Sequence, residues 1–216
     1  MLLNTLKFEK GLMQIFLTGT DTNVGKTIIA SWLCMHSKYD YWKPIQTGGT
    51  ISRDTKVIQK LTSATTIKEA YIYHRPLSPH LAASLEHEVI NINHIIVPNN
   101  SNLIIEGAGG VLVPLNQELL MIDLIRSLKL PVILVTRSGL GTINHTLLTI
   151  EALRQRSIPI LGVIVNGHEN IENNKAIEYY GQIEILASFP QLKHVTSRKL
   201  KTIDLPDKLN RIFESV

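Results

Sequence analysis

The chain has 216 residues, 44% of them hydrophobic and 19% charged, with a formal net charge of +4. That balance fits one soluble globular domain with a filled core, and excludes a disordered chain or two full-sized domains with linkers. Basic residues are scattered, no apolar run is long enough to span a bilayer, and the single Cys34 permits no internal disulfide. These features argue against a nucleic-acid arm and a membrane anchor, and suit a reducing cytoplasm.

Residues 1–12 hold Lys7, Glu9 and Lys10 and no sustained apolar stretch, so they read as a loosely held tail and not as a signal peptide. A domain over residues 13–216 follows, with a second methionine, Met13, where its first strand begins. The apolar run Gln14–Thr18 leads into Gly19-Thr20-Asp21-Thr22-Asn23-Val24-Gly25-Lys26-Thr27, and a helical run, Ile28 to Met35, leads away. A strand, a glycine-bounded loop ending in Gly-Lys-Thr and a helix form the phosphate cradle of P-loop nucleotide enzymes. Backbone N–H groups of such a loop surround the β-phosphate, and the helix start aims its unpaired donors at the same anion. Lys26 would reach the β- and γ-phosphates, and the Thr27 hydroxyl would bind the bridging magnesium ion. Five residues, Thr20 to Val24, separate Gly19 from Gly25, one more than the usual spacing.

Further strands are expected at Leu103–Ile105, Val132–Val135 and Leu161–Val165, with weaker candidates at Tyr41–Ile45 and Ile183–Leu186. Helical patterns lie between them. Thr55–Leu61 is one; Leu119, Ile122, Leu124, Ile125 and Leu128 mark another, stopped by Pro131. Ile143, Leu147, Ile150 and Leu153 share one helix face, and Pro206–Phe213 begins with a proline suited to a first turn. Tyr71–Asn100 has no readable pattern, being broken by Pro76, Pro79 and Pro98. The alternation predicts an α/β fold: a P-loop NTPase-type, mostly parallel sheet with helices on both faces.

Ligands of such a sheet gather at the carboxyl ends of its strands. Glu106 follows Leu103-Ile104-Ile105 and precedes Gly107-Ala108-Gly109-Gly110. It reads either as a magnesium-binding carboxylate with small residues that let backbone approach a ligand, or as a surface acid in a turn. Asp54 heads the Thr55–Leu61 helix, as a metal ligand or as an N-cap. Lys43, before Pro44, reads as a solvated lysine or as one aimed at the γ-phosphate. Asn166-Gly167 reads as an adenine contact or a strand-end turn, and the two are compatible. Gly139-Leu140-Gly141-Thr142 opens a helix, Ile143–Arg156, whose bare N–H groups favour an anion, or is a simple turn into a core helix. The eight histidines show no metal-ligand spacing, so His80 and His145 receive no chemistry.

Taken in order, Gly-Thr-Asp-Thr-x-Val-Gly-Lys-Thr, Lys43-Pro44 with Thr47-Gly48, Ser78-Pro79-His80 with Ala82-Ala83, Glu106-Gly-Ala-Gly-Gly, and Leu140-Gly141-Thr142-Ile143-Asn144-His145-Thr146-Leu147-Leu148-Thr149 resemble the dethiobiotin synthetases. The resemblance runs from about Met13 to Pro190. It implies ATP-dependent carboxylation and ring closure of 7,8-diaminononanoate with CO2 or bicarbonate, giving dethiobiotin, ADP and phosphate. By resemblance, Lys43 is the catalytic lysine, assisted by Lys26. Thr27, Asp54 and Glu106 bind Mg2+, and Thr47 contacts the substrate near the reacting amine. The resemblance places nucleotide contacts on Asn23 to Ile28, Asp54, Glu106 to Gly109, Asn166, Gly167, Pro190, Gln191 and Leu192. The last stretch follows Ser188, where the family often has glycine. Gly141, Thr142, Ile143 and Asn144 would receive the substrate carboxylate across a homodimer. The competing readings are a partner-regulated P-loop ATPase switch and an amide-forming relative. The first normally has a lysine early in the loop, missing from Gly19-Thr20-Asp21-Thr22. The second normally carries a glutamine-hydrolysing domain whose nucleophile Cys34 is poorly placed to be.

Overall fold

The computed structural model describes residues 13–49, 53–99 and 102–214. The tail over residues 1–12 lies outside them. The main sheet has seven strands, all parallel. In chain order these are β1 (Gln14–Gly19), β2 (Asp40–Trp42), β4 (Thr66–Ile67), β6 (Leu103–Gly110), β7 (Val132–Arg137), β8 (Ile160–Asn166) and β9 (Ile185–Phe189). In space they run β4-β2-β6-β1-β7-β8-β9, and a separate pair joins β3 (Ile45–Gln46) to β5 (Tyr71–Ile72). Helices are α1 (Lys26–Ser37), α2 (Asp54–Leu61), α3 (Pro79–Leu85), α4 (Met121–Leu128), α5 (Thr142–Gln155), α6 (Ile171–Gly181), α7 (Ser197–Lys201) and α8 (Asp207–Glu214).

Both faces of the sheet are buried, which explains why the central strands read as continuous apolar runs. Along β1, Ile15 and Leu17 face a core shared with α1, α2, α7 and α8, where Trp32, Leu33, Ile58, Leu200 and Leu209 pack. Phe16 points the other way, toward Ile122 and Ile125 of α4 and Ala82 and Ala83 of α3. Further along that second face, Leu134 and Val163 meet Ile150 of α5 and Ile177 of α6. Cys34 is buried in the first core, as its apolar neighbours predict.

The boundaries hold several corrections. Tyr41–Ile45 is not one strand: Pro44 has no N–H to donate, and the chain divides there between β2 in the main sheet and β3 in the small one. The unreadable Tyr71–Asn100 stretch contains β5, α3 and a 3-10 turn at Ile92–His94. The two-residue strand β4 and the five-residue helix α7 are too short to leave a period. The Ile183–Leu186 candidate shifts to Ile185–Phe189, and Pro206 lies just ahead of α8, its carbonyl accepting from Leu209 and Asn210.

The strand β6 runs on to Gly110, so Glu106 lies inside it and not beyond its end. Its register against β1 pairs Leu17 with Glu106 and then Gly19 with Gly110. Two steps along β1 therefore match four along β6, and β6 bulges between Glu106 and Gly110. A bulge re-aims side chains locally, and this one leaves the Glu106 carboxylate at the head of the ligand cleft.

Candidate active site

The central strands β1 and β6, with β2 beside them, deliver their carboxyl ends to one cleft of about 900 Å³. The loop after β1 forms one wall. Its geometry depends on Gly25, at φ 96°, where a side chain would be strained and a Cβ would lie 2.0 Å from Asn166 Nδ2. The helix α1 starts at Lys26, so Lys26 and Thr27 occupy its first turn, two residues earlier than the apolar pattern marks. The N–H groups of Lys26 and Thr27, at the very start of the helix, have no helical partner, and both residues line the cleft. In this state the Lys26 ammonium donates to Asp21 O at 2.8 Å. Burial pulls its pKa down to about 8, against the opposing pull of Glu106 and Asp54.

Opposite the loop, four side chains converge. The Thr27 hydroxyl lies 2.7 Å from Asp54 Oδ1 and 2.9 Å from Glu106 Oε1. The Lys43 ammonium binds Asp54 Oδ2 and lies 3.3 Å from Glu106 Oε1. Burial alone would lower the pKa of Lys43, but the two carboxylates outweigh it and hold the ammonium above its ordinary value. Asp54 is likewise desolvated, yet Lys43 and the hydrogen bonds from Thr27 and Gln46 bring its carboxyl below the usual range. Asp54 does not cap α2. Arg53 holds the cap position, and the Asp54 N–H donates to Gln46 Oε1 at 3.0 Å.

This donor set suits magnesium. Two carboxylates converge on one hydroxyl and one ammonium, presenting several hard oxygen donors at one point of the cleft. Magnesium is typically held by one or two carboxylates together with substrate phosphates. Among the described residues no group of three or more His, Cys, Asp or Glu side chains could hold a metal unaided. The phosphate oxygens would have to complete the shell.

Of the residues singled out from sequence, Asn23, Gly25, Lys26, Thr27, Ile28, Lys43, Thr47, Asp54, Glu106, Ala108 and Gly109 all line this cleft. The Val24 side chain is instead buried in the first core, leaving only its backbone for a ligand. Asn166 and Gly167, at the end of β8, stand outside the cleft behind the loop, where Asn166 Nδ2 donates to Val24 O at 2.9 Å. Pro190, Gln191 and Leu192 follow β9 on that side of the sheet. Gly141, Thr142, Ile143 and Asn144 line a separate cleft of about 550 Å³ with Leu140, Leu147, Asn173 and Tyr180. Gly141, at φ 88°, caps α5, which starts at Thr142 and not at Ile143.

Two contributors escaped the sequence reading. The fully buried Tyr41 donates its hydroxyl to Glu106 Oε2 at 2.8 Å, and Gln46 fixes the start of α2. Both stand on strands of only two or three residues, too short to leave a pattern. Only the polar tip of each gave any signal.

A family model described as an AAA domain matches residues 13–199. The chain is 58% identical, over 93% of its own length and 99% of the relative's, to the ATP-dependent dethiobiotin synthetase BioD of Lawsonia intracellularis (strain PHE/MN1-00). The chain belongs to the ATP-dependent dethiobiotin synthetases. A second synthetase, from Paramagnetospirillum magneticum (strain ATCC 700264 / AMB-1), is 46% identical over 89% of this chain and 95% of that one. Among solved structures, a plasmid partition protein from Borrelia burgdorferi overlays 96% of this synthetase and 100% of itself at TM-score 0.56 and 11% identity. At that identity the likeness concerns the fold alone, a P-loop NTPase sheet. The partner-regulated switch gains nothing from it, and the family excludes it as the leading reading. No described helix of the synthetase is long and apolar enough to cross a membrane.

Proposed function

We infer that this one chain's P-loop cleft carries out the family's reaction, with 7,8-diaminononanoate, CO2 or bicarbonate, and ATP as substrates. The activity is that of its relatives, ATP-dependent dethiobiotin synthesis, a ligase reaction of biotin formation. One amine of the diamine takes up CO2 and loses a proton, giving a carbamate. A carbamate oxygen then attacks the γ-phosphorus, ADP leaves, and a carbamoyl phosphate remains. The second amine attacks its carbonyl carbon. Phosphate departs, the amine proton is lost and the urea ring closes.

The difficulty is electrostatic, because a carbamate anion must approach an anionic phosphate. Positive charge fixed in a dry site counters that repulsion and stabilises the transferring phosphoryl group. Lys26 supplies it from the loop and Lys43 from the opposite wall, on either side of the cleft. Thr27, Asp54 and Glu106 would hold a magnesium ion, which when bound neutralises phosphate charge. Thr47 offers a hydroxyl to the reacting amine, and Asn166 an amide to adenine.

Gly141, Thr142, Ile143 and Asn144 are the proposed contacts for the substrate carboxylate, reached from a second copy of the chain in a homodimer. The two clefts are distinct within one chain, which supports that arrangement. So does the apolar surface around the second cleft, where Leu140 is fully exposed and Tyr179 and Tyr180 are each 70% exposed. The free buried thiol of Cys34 suits a reducing cytoplasm.

The observation that carries this reading is the meeting of Lys26, Thr27, Lys43, Asp54 and Glu106 in one cleft. Purified protein given the diamine, bicarbonate and Mg-ATP should form dethiobiotin with one ADP released per ring. ADP release that ignores the diamine would reject it.

A further inference from the structure

Beneath the cleft lies a network of threonine hydroxyls, of whose residues only Thr142 has been given a part in the reaction above. Thr136 on β7 and Thr142 and Thr146 on α5 are buried, while Thr20, at the head of the nucleotide loop, is half-buried. Thr20 already donates its N–H to Val135 O at 3.0 Å. The side chains add a second connection. Thr142 donates its hydroxyl to Arg137 O, and a hydroxyl has only one proton. Thr136, 2.9 Å away, must therefore donate to Thr142. With its own proton spent, Thr136 accepts from Thr146 at 2.9 Å and, with its remaining lone pair, from Thr20 at 3.3 Å. The bonds run in one direction: Thr20 to Thr136, Thr136 to Thr142, Thr142 to the Arg137 carbonyl.

Valine has the same shape and equal strand preference, so neither packing nor propensity requires a threonine at position 136. What the hydroxyl adds is a link between the loop that receives phosphate and the first turn of α5. We propose that Thr136 is a positioning residue that couples the two, so that filling the nucleotide loop sets how tightly α5 holds the carboxylate of the diamine acid. The inference rests on the assignment of that carboxylate to the first turn of α5. Because that turn would serve the partner's substrate, nucleotide on one protomer would tighten substrate on the other.

Coupling of this kind is a ratio of affinities. Calorimetric titration of 7,8-diaminononanoate into the full-length protein, with and without a non-hydrolysable ATP analogue and magnesium, measures it. The analogue should tighten diamine binding in the wild type. In Thr136→Val that ratio should fall about fivefold, the factor carried by one ordinary hydrogen bond. Thr136→Ser, which keeps the hydroxyl, should restore it. Should Thr136→Val fail to fold, Thr20→Val breaks the same connection at its half-buried end and must lower the ratio too. An unchanged ratio in the valine variants, or a serine variant no better than valine, overturns the proposal. So does a wild type that binds the diamine equally with and without the analogue. A wild type that does not bind the diamine at all instead removes the substrate reading on which the proposal stands.

Discussion

The two ends of the proposed substrate site are built on opposite plans. At the phosphate end, charge is buried, matched and held from three elements: α1 brings Lys26 and Thr27, α2 brings Asp54, and the β2–β6 side brings Lys43 and Glu106. At the α5 end there are backbone donors, a glycine cap and exposed apolar side chains. The first is complete within one chain. The second leaves apolar surface that the other described residues do not cover. A phosphoryl-transfer centre gains from rigid preorganised charge, whereas a carboxylate can be held by a helix start and a few contacts brought by a partner.

The largest expected effect is at the phosphate end. Lys43→Ala leaves Asp54 and Glu106 facing each other without their shared cation and removes one of the two positive groups proposed to flank the γ-phosphate. Turnover should fall about a thousandfold, with ATP binding largely kept because the loop and Lys26 remain. Steady-state kinetics beside nucleotide titration checks this. A kcat within a few-fold of wild type would move the catalytic cation elsewhere. At the other end, Leu140→Glu sets a charge on the fully exposed apolar tip beside α5. Self-association should weaken by about a hundredfold if that tip is buried in a dimer. Sedimentation gives the answer, and dimers that persist would place the interface on another face.

The same contrast governs what the residue pattern revealed. The phosphate end was legible because its chemistry depends on residue type at fixed spacing: Gly25-Lys26-Thr27 between a strand and a helix admits few other uses. Asp54, Lys43 and Glu106 each had an ordinary alternative, and only folding brings their three separate segments together: the two carboxylates meet the Thr27 hydroxyl, and the Lys43 ammonium meets both carboxylates. Long buried strands were also legible, since burial on both faces leaves an unbroken apolar run. Short ones were not. The pair β3 and β5 holds only two residues in each strand, so tertiary contacts, not local preference, determine it. Tyr41 was hidden for a related reason: its ring is core, and only its hydroxyl belongs to the site.

That dual character predicts an intermediate effect. Tyr41→Phe keeps the ring packing but leaves the buried Glu106 Oε2 without its 2.8 Å donor. A charged acceptor losing such a bond costs about 2 kcal/mol. The loss should appear as lower stability of the nucleotide-free protein in denaturant titration, with little change in the slope. No loss would mean that water replaces the hydroxyl.

The smallest expected effect concerns the boundary between the loop and the base. Asn166 holds the Val24 carbonyl with its amide at 2.9 Å, and the proposed adenine contact would give it a second task. A carboxamide has enough donors and acceptors for both. Asn166→Ala should therefore weaken ATP by about tenfold and reduce its advantage over GTP, since one paired contact discriminates bases by about that factor. Competition titrations with the two nucleotides separate the roles. If ATP and GTP weaken equally, Asn166 acts only as a brace for the loop, because a slackened loop grips every triphosphate less well whatever its base. If only ATP weakens, the brace contributes nothing and base reading is its whole function. The geometry of Gly25 favours a mixture, because the loop passes too close to the Asn166 amide for either role to change without the other.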